Sequence, residues 1–125
     1  MSGKACERLK GSGFDVLLSH SSPKGIGVAS DAWGSGRLRE VVESCQPYYL
    51  FFAHHDDPIS PASIGRTKCY WLSDVNFSKG DRGINSPVAS GCMGILSWID
   101  EDNHEFGIVE ERWMEKVTFA NWWRD

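Results

Sequence analysis

The stretch LREVVESCQPYYLFFAHHDD, residues 38–57, decides how this chain folds. Leu38, Val41, Val42 and Cys45 recur at i, i+3, i+4 and i+7, and Arg37, Arg39, Glu40 and Glu43 fill the other side. That spacing predicts an amphipathic helix laid on a sheet. Ser35 can cap its start near Gly36. Pro47 ends it, because Gln46, standing before a proline, is pushed out of the helical region. Residues 48–52 then read as a nearly all-apolar strand, and they deliver His54, followed by His55, Asp56 and Asp57.

The same logic extends outward. Residues 3–10 can form the end of a helix, stopped by Gly11-Ser12-Gly13. Residues 14–19, FDVLLS, read as a short apolar strand covered on both faces. They deliver His20 into a loop rich in glycine, serine and proline. The order is strand, loop, helix, strand, with a histidine just past the C-terminal end of each strand. A βαβ crossover makes the two strands parallel, so both ends lie on one edge of the sheet. Open α/β sheets place ligands at that edge.

Downstream, residues 67–72 and 92–99 look like strands, and residues 106–109 can pair back through the polar turn DEDNH. The fold class is therefore α/β, a βαβ unit continuing into mainly antiparallel strands. The tail carries Trp113, Trp122 and Trp123. Ordinary packing on a sheet is one reading of these, and a partner interface is the other.

A chain of 125 residues fits one small domain, and 41% hydrophobic content supports a real core. The net charge is −4, with acidic and basic residues interspersed, so a nucleic-acid surface is not indicated. No apolar run approaches the roughly 20 residues of a membrane helix. The first residues, MSGKACERLKGSG, contain no apolar segment of the kind a signal peptide needs. The four cysteines, Cys6, Cys45, Cys69 and Cys92, are irregularly spaced without a C-x-x-C pair. They read as reduced, mostly buried small hydrophobes in a cytoplasmic protein.

His20, His54 and Asp56 are the candidate metal ligands. Neutral imidazole and carboxylate suit Zn, Mn or Fe, and two adjacent parallel strands would bring them to one edge. The alternative is that both histidines are loop residues hydrogen-bonded to nearby backbone.

Two segments carry a family resemblance. FDVLLSHSSPKGIG resembles the block of calcineurin-like metallophosphoesterases in which a buried strand ends in a metal-binding histidine before a proline- and glycine-containing loop. LREVVESCQPYYLFFAHHDD resembles the next block, where a helix leads through a proline and a strand to G-H-x-H. GRTKCYWLSDVNF and SGCMGILSWID are similar to the β segments that close such domains. The likeness runs over about residues 12–110, in arrangement more than in motif letters.

The resemblance implies that His20 and His54 ligate one metal. Asp56 stands where the second histidine of G-H-x-H is expected, and Ala53 replaces the glycine. His55 occupies the x position, where it could face a substrate or be a plain loop histidine. No other catalytic or substrate-binding residue is assigned. The family's D-x-H, G-D and G-N-H blocks are not matched. Asp102-Asn103-His104 has D-x-H spacing but falls in the predicted hairpin turn, and Gly80-Asp81 is a lone G-D in a loop. The chain thus resembles half of the family's two-sheet sandwich, its C-terminal half. It is expected to hold at most one divalent ion (Mn, Fe or Zn). Hydrolysis of a phosphoester would require a complementing N-terminal half or self-association. The competing expectation is a non-catalytic interaction module on a degenerate scaffold.

Other residues have two readings each. Lys24 and Arg66 could meet a phosphate or be solvated loop charges. Gly25 and Gly27 suit the turn after His20, and Gly65 a turn before a strand. Asp31 and Asp57 suit capping or solvent-facing positions.

Overall fold

The computed structural model describes residues 3–27, 34–53, 59–73, 87–88 and 90–118. The chain divides into two compact units, residues 1–71 and 72–125. The first unit contains helix α1 (Gly3–Lys10), strand β1 (Val16–Ser19), helix α2 (Gly36–Cys45) and strands β2 (Tyr49–Phe52), β3 (Ala62–Ile64) and β4 (Thr67–Trp71). Its four strands form one sheet in the order β1-β2-β4-β3. β1 and β4 both run parallel to β2, and β3 runs antiparallel to β4. Among the described residues no helix is long and apolar enough to cross a membrane.

α2 forms as its periodicity predicts. Ser35 is the N-cap, and its side chain accepts a hydrogen bond from the Leu38 N–H at 3.2 Å. Leu38, Val41 and Val42 are buried. They pack with Leu17, Leu50, Phe52 and Cys69 from the facing side of the sheet. Leu50 is fully buried in the strand between β1 and β4. α1 is too short to be stable alone. It is tied to α2 by Lys10, which bonds Glu40 at 3.1 Å and Glu7 at 3.2 Å, and by the Cys45 thiol donating to the Leu9 carbonyl at 3.1 Å. Those two carboxylates hold the Lys10 ammonium above its ordinary pKa, Glu40 most strongly.

The opposite side of the sheet is aromatic. Tyr49, Phe51 and Tyr70 lie with ring centroids 5.8 to 6.3 Å apart. Their register rows continue to Val16 and Leu18 on β1. Leu18 is 75% exposed. The strand expected to be covered on both faces is therefore covered on one, because β1 is an edge strand.

Gln46, before Pro47, leaves the helical region as expected, adopting the left-handed region at φ 48 and ψ 52. Its N–H bonds the Val42 carbonyl at 2.8 Å and its side-chain amide bonds the same carbonyl at 3.2 Å. Those bonds hold the conformation. Two differences from the sequence reading have physical causes. β3 was not foreseen, since its three residues show no period. β4 is parallel to β2 because β3 carries the chain back before the Gly65-Arg66 turn reverses it. Parallel pairing thus extends beyond the βαβ unit.

The second unit contains an antiparallel hairpin, β5 (Gly94–Trp98) with β6 (His104–Ile108), and a short 3-10 helix, η1 (Met114–Lys116). The turn between the strands is built on Asp100. Its carboxylate accepts from the N–H groups of Asp102 and Asn103, both at 2.9 Å, and from the Asn103 amide at 2.7 Å. Hydrogen bonding by the Asn103 side chain, then by the Asp102 backbone, holds the Asp100 carboxyl below the usual aspartate range. His104 opens β6 and stacks on Trp98, with centroids 4.7 Å apart. The D-x-H spacing at residues 102–104 is thus a turn, as expected. Met114 is buried and Trp113 is 48% exposed, whereas Trp122 and Trp123 lie outside the described residues.

All four cysteines are free thiols. Cys6 and Cys69 are buried, while Cys45 and Cys92 are partly exposed. Burial pushes the Cys69 thiol up to about 11.

Candidate functional site

The carboxyl edge of the parallel strands positions the candidate ligands. Ser19 on β1 pairs with Phe52 on β2 at the last register position. The pairing continues one step further, where the Ala53 N–H donates to the His20 carbonyl at 3.3 Å. His20 is exposed at this edge. Its backbone is therefore fixed beside the residue that immediately precedes His54.

The loop after His20 is ordered by its return to α2. The Ser35 N–H donates to the Ser22 carbonyl at 2.9 Å, and the Lys24 N–H donates to the Ser35 carbonyl at 3.2 Å. Gly34 makes this approach possible. A β-carbon there would lie 2.7 Å from the Pro23 carbonyl oxygen and 2.9 Å from Lys24 backbone atoms, and the φ of +98 suits glycine alone. Arg39 adds a bond from Nη1 to the Lys24 carbonyl at 3.0 Å, and bonds Glu43 at 2.7 Å. Gly25 and Gly27 both have positive φ, as expected for the turn after His20.

A second contact joins the two strand-end loops. Ile59 follows the HHDDP segment and is 8% exposed. Its side chain fills the space where a Gly27 β-carbon would stand, which would be 2.3 Å from Ile59 Cγ2. Ile26 and Ile59 belong to the same core cluster. Sequence reasoning did not single out Ile59. The available signal was one isoleucine isolated in the polar run HHDDPISP.

His54, His55, Asp56 and Asp57 lie outside the described residues, as do Asp31 and Gly80-Asp81. Among the described residues no group of three or more His, Cys, Asp or Glu side chains is placed to hold a metal. His20 is the described member of the proposed ligand set.

Arg66 is not at this edge. It precedes β4, at the opposite end of the parallel set from His20. Its backbone N–H donates to Gln46 Oε1 at 2.9 Å, its Nε donates to the Gln46 carbonyl, and its guanidinium lies 4.4 Å from the Tyr48 ring centroid. These contacts close the end of α2 onto the β3–β4 turn. They make Arg66 a structural clamp.

Among the described residues, two buried hydroxyls, Ser22 Oγ and Thr67 Oγ1, and the Trp71 indole Nε1 find no hydrogen-bond partner. Ser22 is two residues after His20, and Trp71 pairs with Phe52 at the same edge.

Comparison with known proteins gives little shared sequence. No family model matches the chain. A stretch of 73 residues, 58% of the chain, is 30% identical to DELTA-actitoxin-Ucs1a of Urticina crassicornis. The matched part is 30% of that protein's length, so the chain spans less than a third of this curated relative. No solved structure matches.

Proposed function

We propose that this chain is a metallophosphoesterase-like protein, corresponding to the C-terminal half of a two-sheet phosphoesterase domain. His20, His54 and Asp56 would ligate one divalent ion (Mn, Fe or Zn), with His55 at the intervening position. The observation that carries this reading is the Ala53 N–H to His20 carbonyl bond. It fixes Ala53, the residue before His54, beside His20 at the carboxyl edge of parallel strands, where ligands of α/β sheets bind.

The bound ion would supply charge stabilisation and an activated water for hydrolysis of a phosphate mono- or diester. The chain's own contribution is to hold the imidazoles and the carboxylate at one edge. The remaining ligand blocks of the family would come from a complementing polypeptide segment, or from association between copies. A cytoplasmic setting agrees with free thiols. The likeness to an actitoxin carries over no activity, since most of that protein has no counterpart here.

One observation favours a second reading, a non-catalytic interaction module. Ala53 and Asp56 replace the glycine and the second histidine of G-H-x-H. The test is hydrolysis of bis(p-nitrophenyl) phosphate with Mn²⁺. The first reading expects no turnover by the chain alone. It expects metal-dependent turnover when a polypeptide bearing D-x-H, G-D and G-N-H blocks is added. Metal-free binding of such a partner, without turnover, would favour the interaction module.

A further inference from the structure

We infer that the β5–β6 hairpin carries a docking groove for a basic, amphipathic peptide segment, one in which lysine or arginine flanks an aliphatic side chain. The groove lies wholly within residues 93–113, so it stands independently of the metal reading.

Exposed apolar surface is concentrated here. Among the described residues six large hydrophobic side chains are exposed, and four of them, Met93, Ile95, Ile108 and Trp113, line one groove of about 640 Å³. Ile95 is 64% exposed. Apolar side chains scattered singly over a surface need no explanation, whereas contiguous ones mark a place where something binds. The volume is in the range of ligand-binding clefts.

Charge selects the occupant. Glu105, Glu110 and Glu111 line the same groove, and no described lysine or arginine does. Arg112 stands between Glu111 and Trp113 in the chain but is not part of the lining. Glu110 accepts a 3.5 Å bond from the Ser90 hydroxyl, a neutral group that does not offset its charge. Three carboxylates beside apolar surface repel phosphates, anionic lipid headgroups and nucleic acid. They attract cations. Lysine and arginine can lay their aliphatic stems on the apolar side chains while the charged head meets a carboxylate. An exposed tryptophan such as Trp113 attracts the same cations.

The backbone offers a way to close the groove. Gly107 lies on β6 opposite Ile95 and belongs to the lining. A β-carbon there would meet no atom within 4 Å, and its φ lies outside the left-handed region. A larger residue therefore suits the strand and fills the space that the peptide would take.

The experiment is titration calorimetry of the full chain with an acetylated, amidated peptide of alternating lysine and leucine, beside its glutamate–leucine and lysine–serine counterparts. The thermal midpoint of each variant is measured alongside. The lysine–leucine peptide should bind saturably at one per chain, more weakly as salt rises. Both counterparts should bind at least about tenfold more weakly. Gly107→Leu should abolish binding, with its midpoint close to the parent's. The triple variant Glu105→Gln/Glu110→Gln/Glu111→Gln should weaken binding by about tenfold, and Trp113→Ala by about as much. If Gly107→Leu does not fold, the triple variant and Trp113→Ala decide. No saturable binding by the parent, or equal binding of the glutamate–leucine peptide, overturns the inference. So does binding that a folded Gly107→Leu protein leaves intact. Sedimentation showing a dimeric parent and a monomeric Gly107→Leu protein would also overturn it, because the occupant would then be a second copy of the chain.

Discussion

The two ends of one parallel sheet are built differently. At the amino end, Arg66 bonds Gln46 and lies over the Tyr48 ring, and these contacts close the helix terminus. At the carboxyl end, backbone hydrogen bonds and an isoleucine on a glycine do the joining. The amino end is joined through side chains, the carboxyl end through backbone bonds and an apolar contact. The same contrast separates two histidines. His104 follows an aspartate-built turn and stacks on Trp98, whereas His20 stands at the edge of parallel strands.

Substitutions can sharpen or break this contrast. Leu50 lies mid-strand between the two ends and is fully buried. Leu50→Ala should cost about 2–5 kcal/mol in denaturant unfolding, through lost burial and a cavity. Both ends should suffer together. Ser35→Ala removes the N-cap bond to Leu38 and should cost about 1 kcal/mol. The bonds from Ser35 to the loop after His20 are backbone bonds that alanine keeps, so this variant should lower stability and leave Mn²⁺ affinity close to the parent's. Arg66→Ala should cost roughly 1 kcal/mol, discounted because the guanidinium is exposed, and should leave Mn²⁺ affinity unchanged. An effect of Arg66→Ala on affinity would break the contrast between the ends.

The smallest effect concerns pH. The Asp100 carboxyl is held low by Asn103 and Asp102, so its contribution is present above the unfolded aspartate value. It is lost as pH falls through the still lower folded value. An NMR titration of the Asp100 side-chain carbon should show a midpoint below the ordinary aspartate range. In Asn103→Ala the midpoint should move back up.

How much was legible follows from where the signals lie. α2 was readable because Leu38, Val41, Val42 and Cys45 repeat with helical period and Ser35 sits where a cap belongs. β2 was readable as a run of apolar residues, and parallel pairing with β1 followed from the crossover helix. β3 was not, because three residues cannot show a period. The direction of β4 depends on β3, so it was lost with it. The edge shared by His20 and Ala53 followed from topology. The Gly27–Ile59 contact did not, because it joins two loops far apart in sequence and no pattern links a lone isoleucine to a lone glycine. The clamp made by Arg66 was not legible for a related reason. Its partner Gln46 is 20 residues away and turns toward it only because it adopts a left-handed conformation.

The most direct test of the central claim is Mn²⁺ titrated by calorimetry into the metal-free chain, beside His20→Ala and His54→Ala. The account predicts binding near one ion per chain, lost in both variants. Absence of heat in the parent, or variants that bind as well as the parent, would contradict it.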